Sequence, residues 1–180
     1  MTPSIILRPL CAGESHHCES ILRALPAWFG IEDAIVDYVR STERFETVVA
    51  EIGPKIVGFA TIRQHNPHAA EIHVMGVRPE HQGRGIGRAL VAWVEDLVRA
   101  RGTAFLQVKT LGPSRPNTAY ARTRGFYEHM GFAPLEENDL WGEVNPCLIL
   151  VKHLRCADGT RRGADRAERA ATTAPEGRWR

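Results

Sequence analysis

One stretch of this chain has the residue types and spacing to hold an anion. Gln82-Gly83-Arg84-Gly85-Ile86-Gly87-Arg88 follows an apolar run ending at Val77 and opens a long helical pattern. The first N–H groups of a helix have no internal partner and lie at the positive end of its dipole. Glycines at 83, 85 and 87 let a bulky phosphate approach the main chain without a Cβ in the way. Arg84 and Arg88 add charge beside the same turn. A diphosphate is the natural guest. Three glycines in five residues exceed what a strand-to-helix turn requires, because each costs a helix up to about 1 kcal/mol. The two common nucleotide loops do not fit. No Lys-Ser or Lys-Thr follows these glycines as in a Walker loop, and Arg88 stands where a Rossmann fingerprint has its third glycine.

The elements that must position this turn can be read from pattern. SIILR (4–8) is a short strand stopped by Pro9, and residues 14–24 form a helix closed by Pro26. In 31–41, Ile31, Ile35, Tyr38 and Val39 share one helical face with acids on the other. Runs 45–53 and 55–64 are a hairpin across Gly53-Pro54. AEIHVMGV (70–77) is the next strand, and alternation puts Glu71, His73 and Met75 on one face of it. A helix from about Gly85 to Arg101 ends at Gly102. Strand 104–111, helix 116–130 and strands 132–137 and 146–154 complete the series. The fold class is α/β: a mixed sheet of about seven strands with helices on its faces.

Composition narrows the function. The chain has 180 residues, 43% of them hydrophobic and 24% charged, which is ordinary for a globular domain and excludes a disordered or collagen-like one. No apolar run approaches the roughly 18 residues needed to span a membrane. The start, MTPSIILRPL, has no basic segment before its short apolar stretch, so no secretory leader is expected and the cytoplasm is the default. The net charge of +2 is uneven: from Arg155 onward there are seven Arg against four acids, leaving sixteen bases and seventeen acids before it. A near-neutral body argues against a nucleic-acid-binding face. Residues 1–154 read as the domain and 155–180 as a basic, flexible tail outside it. Cys11, Cys18, Cys147 and Cys156 form no C-x-x-C pair, and no His/Cys group has zinc spacing, so no metal is expected.

The run Gln82 to Gly87, with the preceding Val77-Arg78-Pro79-Glu80, resembles the Q/R-x-x-G-x-G/A signature of the GCN5-related N-acetyltransferases (GNAT), and the element order over about 5–154 is similar too. The resemblance implies a mostly antiparallel acyl-CoA N-acyltransferase sheet. It implies that the backbone amides of Gln82, Gly83, Arg84, Gly85, Gly87 and Arg88 hold the pyrophosphate of acetyl-CoA, as co-substrate. Met75 and Val77 would line the thioester, with N–H groups around Val77 polarising its carbonyl. Glu71 matches a strand position that often carries a glutamate base; the alternatives are a solvated edge carboxylate, or His73 as the base, whose class titrates nearer neutrality. Tyr127, in Phe126-Tyr127-Glu128-His129-Met130-Gly131-Phe132, matches the tyrosine that faces the thioester sulfur as general acid. A phenol with an ordinary pKa near 10 stays protonated at neutral pH and can donate; otherwise it is a core aromatic before a helix stop.

Two positions depart from the pattern. The family often has an Asn seven residues before the tyrosine; here that is Tyr120, and Asn117, one helical turn earlier, is the substitute contact for coenzyme A. Gly125 inside the same helix is also unusual. The implied activity is direct transfer of acetyl to a primary amine in a ternary complex. The alternatives are an acyl-CoA-binding module without turnover, or acetylation of a protein or aminoacyl-tRNA amine. A small-molecule amine is the expected partner, with no membrane and no nucleic acid, and a homodimer is left open. Trp28, Phe29, Tyr38 and Trp141 are candidate walls of the acceptor pocket, and Glu136 or Glu137 candidate contacts. The acids at 32, 33 and 37 either attract a cationic acceptor or form a solvated helix face.

Overall fold

The computed structural model describes residues 4–154, so the basic tail expected at 155–180 lies outside the described residues. The strands are β1 (Ile5–Pro9), β2 (Glu46–Ile52), β3 (Lys55–Asn66), β4 (Ala69–Val77), β5 (Phe105–Leu111), β6 (Ala133–Asn138) and β7 (Cys147–His153). The helices are α1 (Ser15–Arg23), α2 (Glu32–Arg44), α3 (Ile86–Ala100) and α4 (Thr118–His129). One seven-stranded sheet has the order β1-β2-β3-β4-β5-β7-β6. Every neighbouring pair is antiparallel except β4 and β5. That one parallel step uses α3 as its crossover.

Alternation along the strands sorts the core into two layers. Val48 and Ala50 of β2, with Ile62 of β3 and Leu106 and Val108 of β5, face α3, whose Leu90, Val91, Val94 and Val98 are buried against them. Val49 of β2 and Phe59 of β3 face the other way, onto Cys18, Ile21 and Leu22 of α1 and Ile35 of α2. Tyr127 and Phe132, at the end of α4 and just beyond it, join the α3 layer. Gly76 lets α1 press onto β4, since a Cβ there would meet Ile21 Cγ2 at 2.9 Å.

Two details differ from the pattern reading. Pro9 belongs to β1, paired with Val48, rather than stopping it. β1 is an edge strand, where a residue without N–H breaks no ladder. Helix α4 begins at Thr118, because the Asn117 side chain accepts the Tyr120 N–H at 3.1 Å and caps it.

Candidate active site

β4 delivers the chain into the glycine turn. Arg78 N–H donates to Val57 O at 2.8 Å, a one-turn 3₁₀ helix spans Pro79–His81, and Gln82 Nε2 donates back to Val77 O at 3.1 Å. Gly83 and Gly85 then take φ of 74° and 82°, the left-handed region that a side chain makes costly. Gly85 is the N-cap of α3 and offers no side chain to the first helical amides, which are left for a guest. A Cβ at Gly83 or Gly85 would stand in open space. Gly87 differs: it is helical, and a Cβ there would meet the Phe126 ring at 3.3 Å, so its bareness also serves the packing of α4 on α3. Gln82, Gly83, Gly85, Gly87 and Arg88 line one cavity of about 520 Å³ together with Met75, Val77 and Tyr127. Arg84 is exposed and outside this lining.

The cavity enters the sheet where β4 and β5 part. Their pairing runs only from Ala69↔Phe105 to Ile72↔Val108, while β4 continues to Val77 and β5 to Leu111. Backbone groups of β4 beyond Ile72 therefore lose their β5 partners and face a slot. On its other side β4 skips a residue: Ile72 pairs Ile62 and Val74 pairs Thr61, so His73 is a bulge. The bulge corrects the expected alternation. Glu71 and His73 stay on the α2 side, but Met75 and Val77 are turned to the α3 layer, against the phosphate turn. A second cavity of about 760 Å³ opens on the slot, and Trp28, Phe29, Met75, Thr123 and Tyr127 line both.

The model of the Acetyltransferase (GNAT) family matches residues 16–132. The chain belongs to this family. It is 42% identical over 78 residues to a mycothiol acetyltransferase of Beutenbergia cavernae, covering 42% of this chain and 24% of that one. It is 41% identical over 66 residues to the N-alpha-acetyltransferase RimI of Mycobacterium tuberculosis, covering 35% and 41%. The chain thus matches less than half the length of these curated relatives. A GNAT acetyltransferase structure from Elizabethkingia anophelis, with acetyl-CoA bound, superposes with a TM-score of 0.64 at 18% identity, covering 83% of this chain and 98% of that chain. At that identity the likeness is one of fold.

In this GNAT domain Glu71 is not a solvated edge carboxylate. It is buried and lines neither cavity. Lys109 Nζ donates to both its oxygens at 3.0 and 2.9 Å, His65 Nε2 lies 2.6 Å from Oε2, and Gln107 Nε2 donates at 3.4 Å. Burial pushes the carboxyl up, but the His73 imidazole nearby and hydrogen bonds from Lys109 and His65 outweigh it and hold the group down at about 2. So low a pKa makes a weak base at neutral pH. His73, by contrast, lines the second cavity, with Nε2 3.2 Å from Ser41 Oγ and Nδ1 3.9 Å from Glu71 Oε1.

Tyr127 is buried at the junction of the two cavities, and burial holds its phenol well above the ordinary value, so it is protonated at neutral pH. Asn117 is not brought to the glycine turn. Its side-chain oxygen is taken by the α4 cap, and it lines the second cavity. Trp28, Phe29, Tyr38 and Trp141 do line that cavity, whereas Glu136 and Glu137 do not. The acids of α2 also lie outside it, and Glu32 is engaged by Arg23 at 2.7 Å. Sequence reasoning missed Lys109, Thr110 and Arg115, which stand in the same wall. The alternation of Gln107 and Lys109 with Leu106 and Val108 was the available signal for the first of these.

Proposed function

We propose that this chain transfers the acetyl group of acetyl-CoA to a primary amine by direct attack within a ternary complex. The observation that carries the reading is the junction of two cavities at Tyr127, one floored by the bare amides of the α3 N-terminus and the other walled by aromatic side chains. Acetyl-CoA supplies an activated acyl group and a diphosphate. The amides and guanidinium between Gln82 and Arg88 bind the diphosphate, with Arg84 contributing charge from outside the cavity. Main-chain N–H groups of β4 between Met75 and Val77, freed by the slot, polarise the acyl carbonyl.

Tyr127, kept protonated, donates to the departing sulfur. Holding both substrates at one junction supplies much of the rate on its own. Proton removal from the amine falls to His73, on the acceptor side, with the Glu71 carboxylate 3.9 Å away. Among the described residues, no cysteine lines either cavity to serve an acyl-cysteine route. The thiols of Cys18 and Cys147 are pushed up to about 12 and about 11, chiefly by burial, and neither lines these cavities.

The test is calorimetry with coenzyme A, followed by release of free thiol from acetyl-CoA in the presence of a panel of amines. Binding with amine-dependent release supports the transferase. Binding without release from any amine, peptide or aminoacyl-tRNA makes the chain an acyl-CoA-binding module, and absence of binding removes both.

A further inference from the structure

The walls of the second cavity carry a charge pattern that selects among amines. Among the described residues, no carboxylate lines it, while the cations Lys109 and Arg115 both do. Lys109 is matched by Glu71 beneath it, so its charge is largely spent. Arg115 has no acidic partner among the described residues. Its Nη1 donates to Val144 O and Asn145 Oδ1, which fixes the guanidinium and leaves its other N–H groups to a guest. The N-terminus of α4 opens on the same wall, with Asn117 and Tyr120 both in the lining, and adds the positive end of its dipole. Thr110 stands in the same wall. It is 2% exposed, lines the cavity, and its Oγ1 is buried without a hydrogen-bond partner.

We infer that the acceptor is a primary amine bearing a carboxylate on an apolar chain, held by Arg115 and the α4 N-terminus at the end of the cavity remote from Tyr127. The inference rests on the transferase reading above. A cationic acceptor such as a polyamine would place its second ammonium among these same positive groups and find no carboxylate to meet it. Spacing refines the class. Ten residues of helix separate Asn117 from Tyr127, roughly 15 Å of rise, and the reach of two side chains shortens that. The nitrogen and the anion must therefore be several bonds apart. Trp28, Phe29, Tyr38 and Trp141 cover the apolar part between them.

The experiment compares three acceptors of one length with the full chain: ε-aminocaproate, n-hexylamine and hexamethylenediamine. The expected order of kcat/KM is aminocaproate over hexylamine by about tenfold or more, with the diamine last, and hexanoate but not hexanol competing against the amine. Arg115→Gln should collapse the preference for the carboxylate, and Thr110→Val, which keeps the shape of the side chain, should reduce it. Equal rates for the acid and the plain amine, or preference for the diamine, overturn the inference while leaving the transferase reading intact. No thiol release with any amine is instead the failure of that reading.

Discussion

Lys109 Nζ sits 3.0 and 2.9 Å from the two carboxylate oxygens of Glu71, a pair joining β5 to β4 just where the strands begin to part. Removing one member of a buried pair leaves the other uncompensated, at a cost of about 3–5 kcal/mol. Glu71→Gln is therefore expected to lower the denaturation midpoint at neutral pH. The pH dependence has a definite sign. The folded carboxyl titrates at about 2, below its ordinary value, so its stabilisation is complete above the unfolded value and lost as pH falls through the folded one. Denaturation curves between pH 5 and 2 should fall more steeply for the wild type than for Glu71→Gln; equal slopes would detach Glu71 from acid stability.

The same carboxylate is ionised across the working range, so it does not set a limb of the rate profile near neutrality. An acid limb in kcat/KM should persist in Glu71→Gln. It should vanish in His73→Gln. A limb that survives that second substitution assigns the base elsewhere.

Tyr127→Phe removes one oxygen from the cavity junction. Loss of a general acid lowers kcat by about 10²–10⁴-fold, while the affinity for coenzyme A, held mainly at the glycine turn, should change little. Calorimetry beside steady-state rates separates the two, and an unchanged kcat takes Tyr127 out of the reaction.

Gly85 and Gly87 should respond differently to alanine. At Gly85 the φ of 82° makes any side chain costly, by about 1–2 kcal/mol, and the new methyl stands where a phosphate would approach. Gly85→Ala should weaken binding of coenzyme A together with stability. At Gly87 the methyl meets Phe126 at 3.3 Å, so Gly87→Ala should act first on the packing of α3 and α4. Thermal midpoints with and without coenzyme A distinguish these outcomes.

Trp28 lines both cavities, and its Nε1 donates to Thr123 Oγ1 of α4 at 2.9 Å, while Tyr120 Oη donates to Trp28 O at 2.8 Å. Its emission should change when coenzyme A binds. Trp28→Phe should abolish most of that change, whereas Trp93→Phe, on α3 and in the lining of neither cavity, should keep it.

Most of the architecture was legible because it rests on local signals. Glycine and proline punctuation and the periods of two and 3.6 mark nearly every strand and helix to within two residues. The anion turn was legible for the same reason, its amides, glycines and arginines being neighbours in sequence. What escaped depends on pairing between distant segments. The bulge at His73 exists only against Thr61 and Ile62, and it alone turns Met75 away from Glu71. The environment of Glu71 is built by Lys109 and Gln107, more than thirty residues on, so sequence left open whether it faced water. Asn117 read from sequence as a coenzyme A contact, and the geometry of α4 makes it the helix cap.

The parting of β4 and β5 leaves the sheet as two ribbons stitched together by four residue pairs. A seam closed at one end and open beyond Ile72 and Val108 is a berth between strands. Any guest with amide groups along its length can complete the ladder from within, so occupancy should stiffen the molecule along this line and slow amide exchange in both flanking strands.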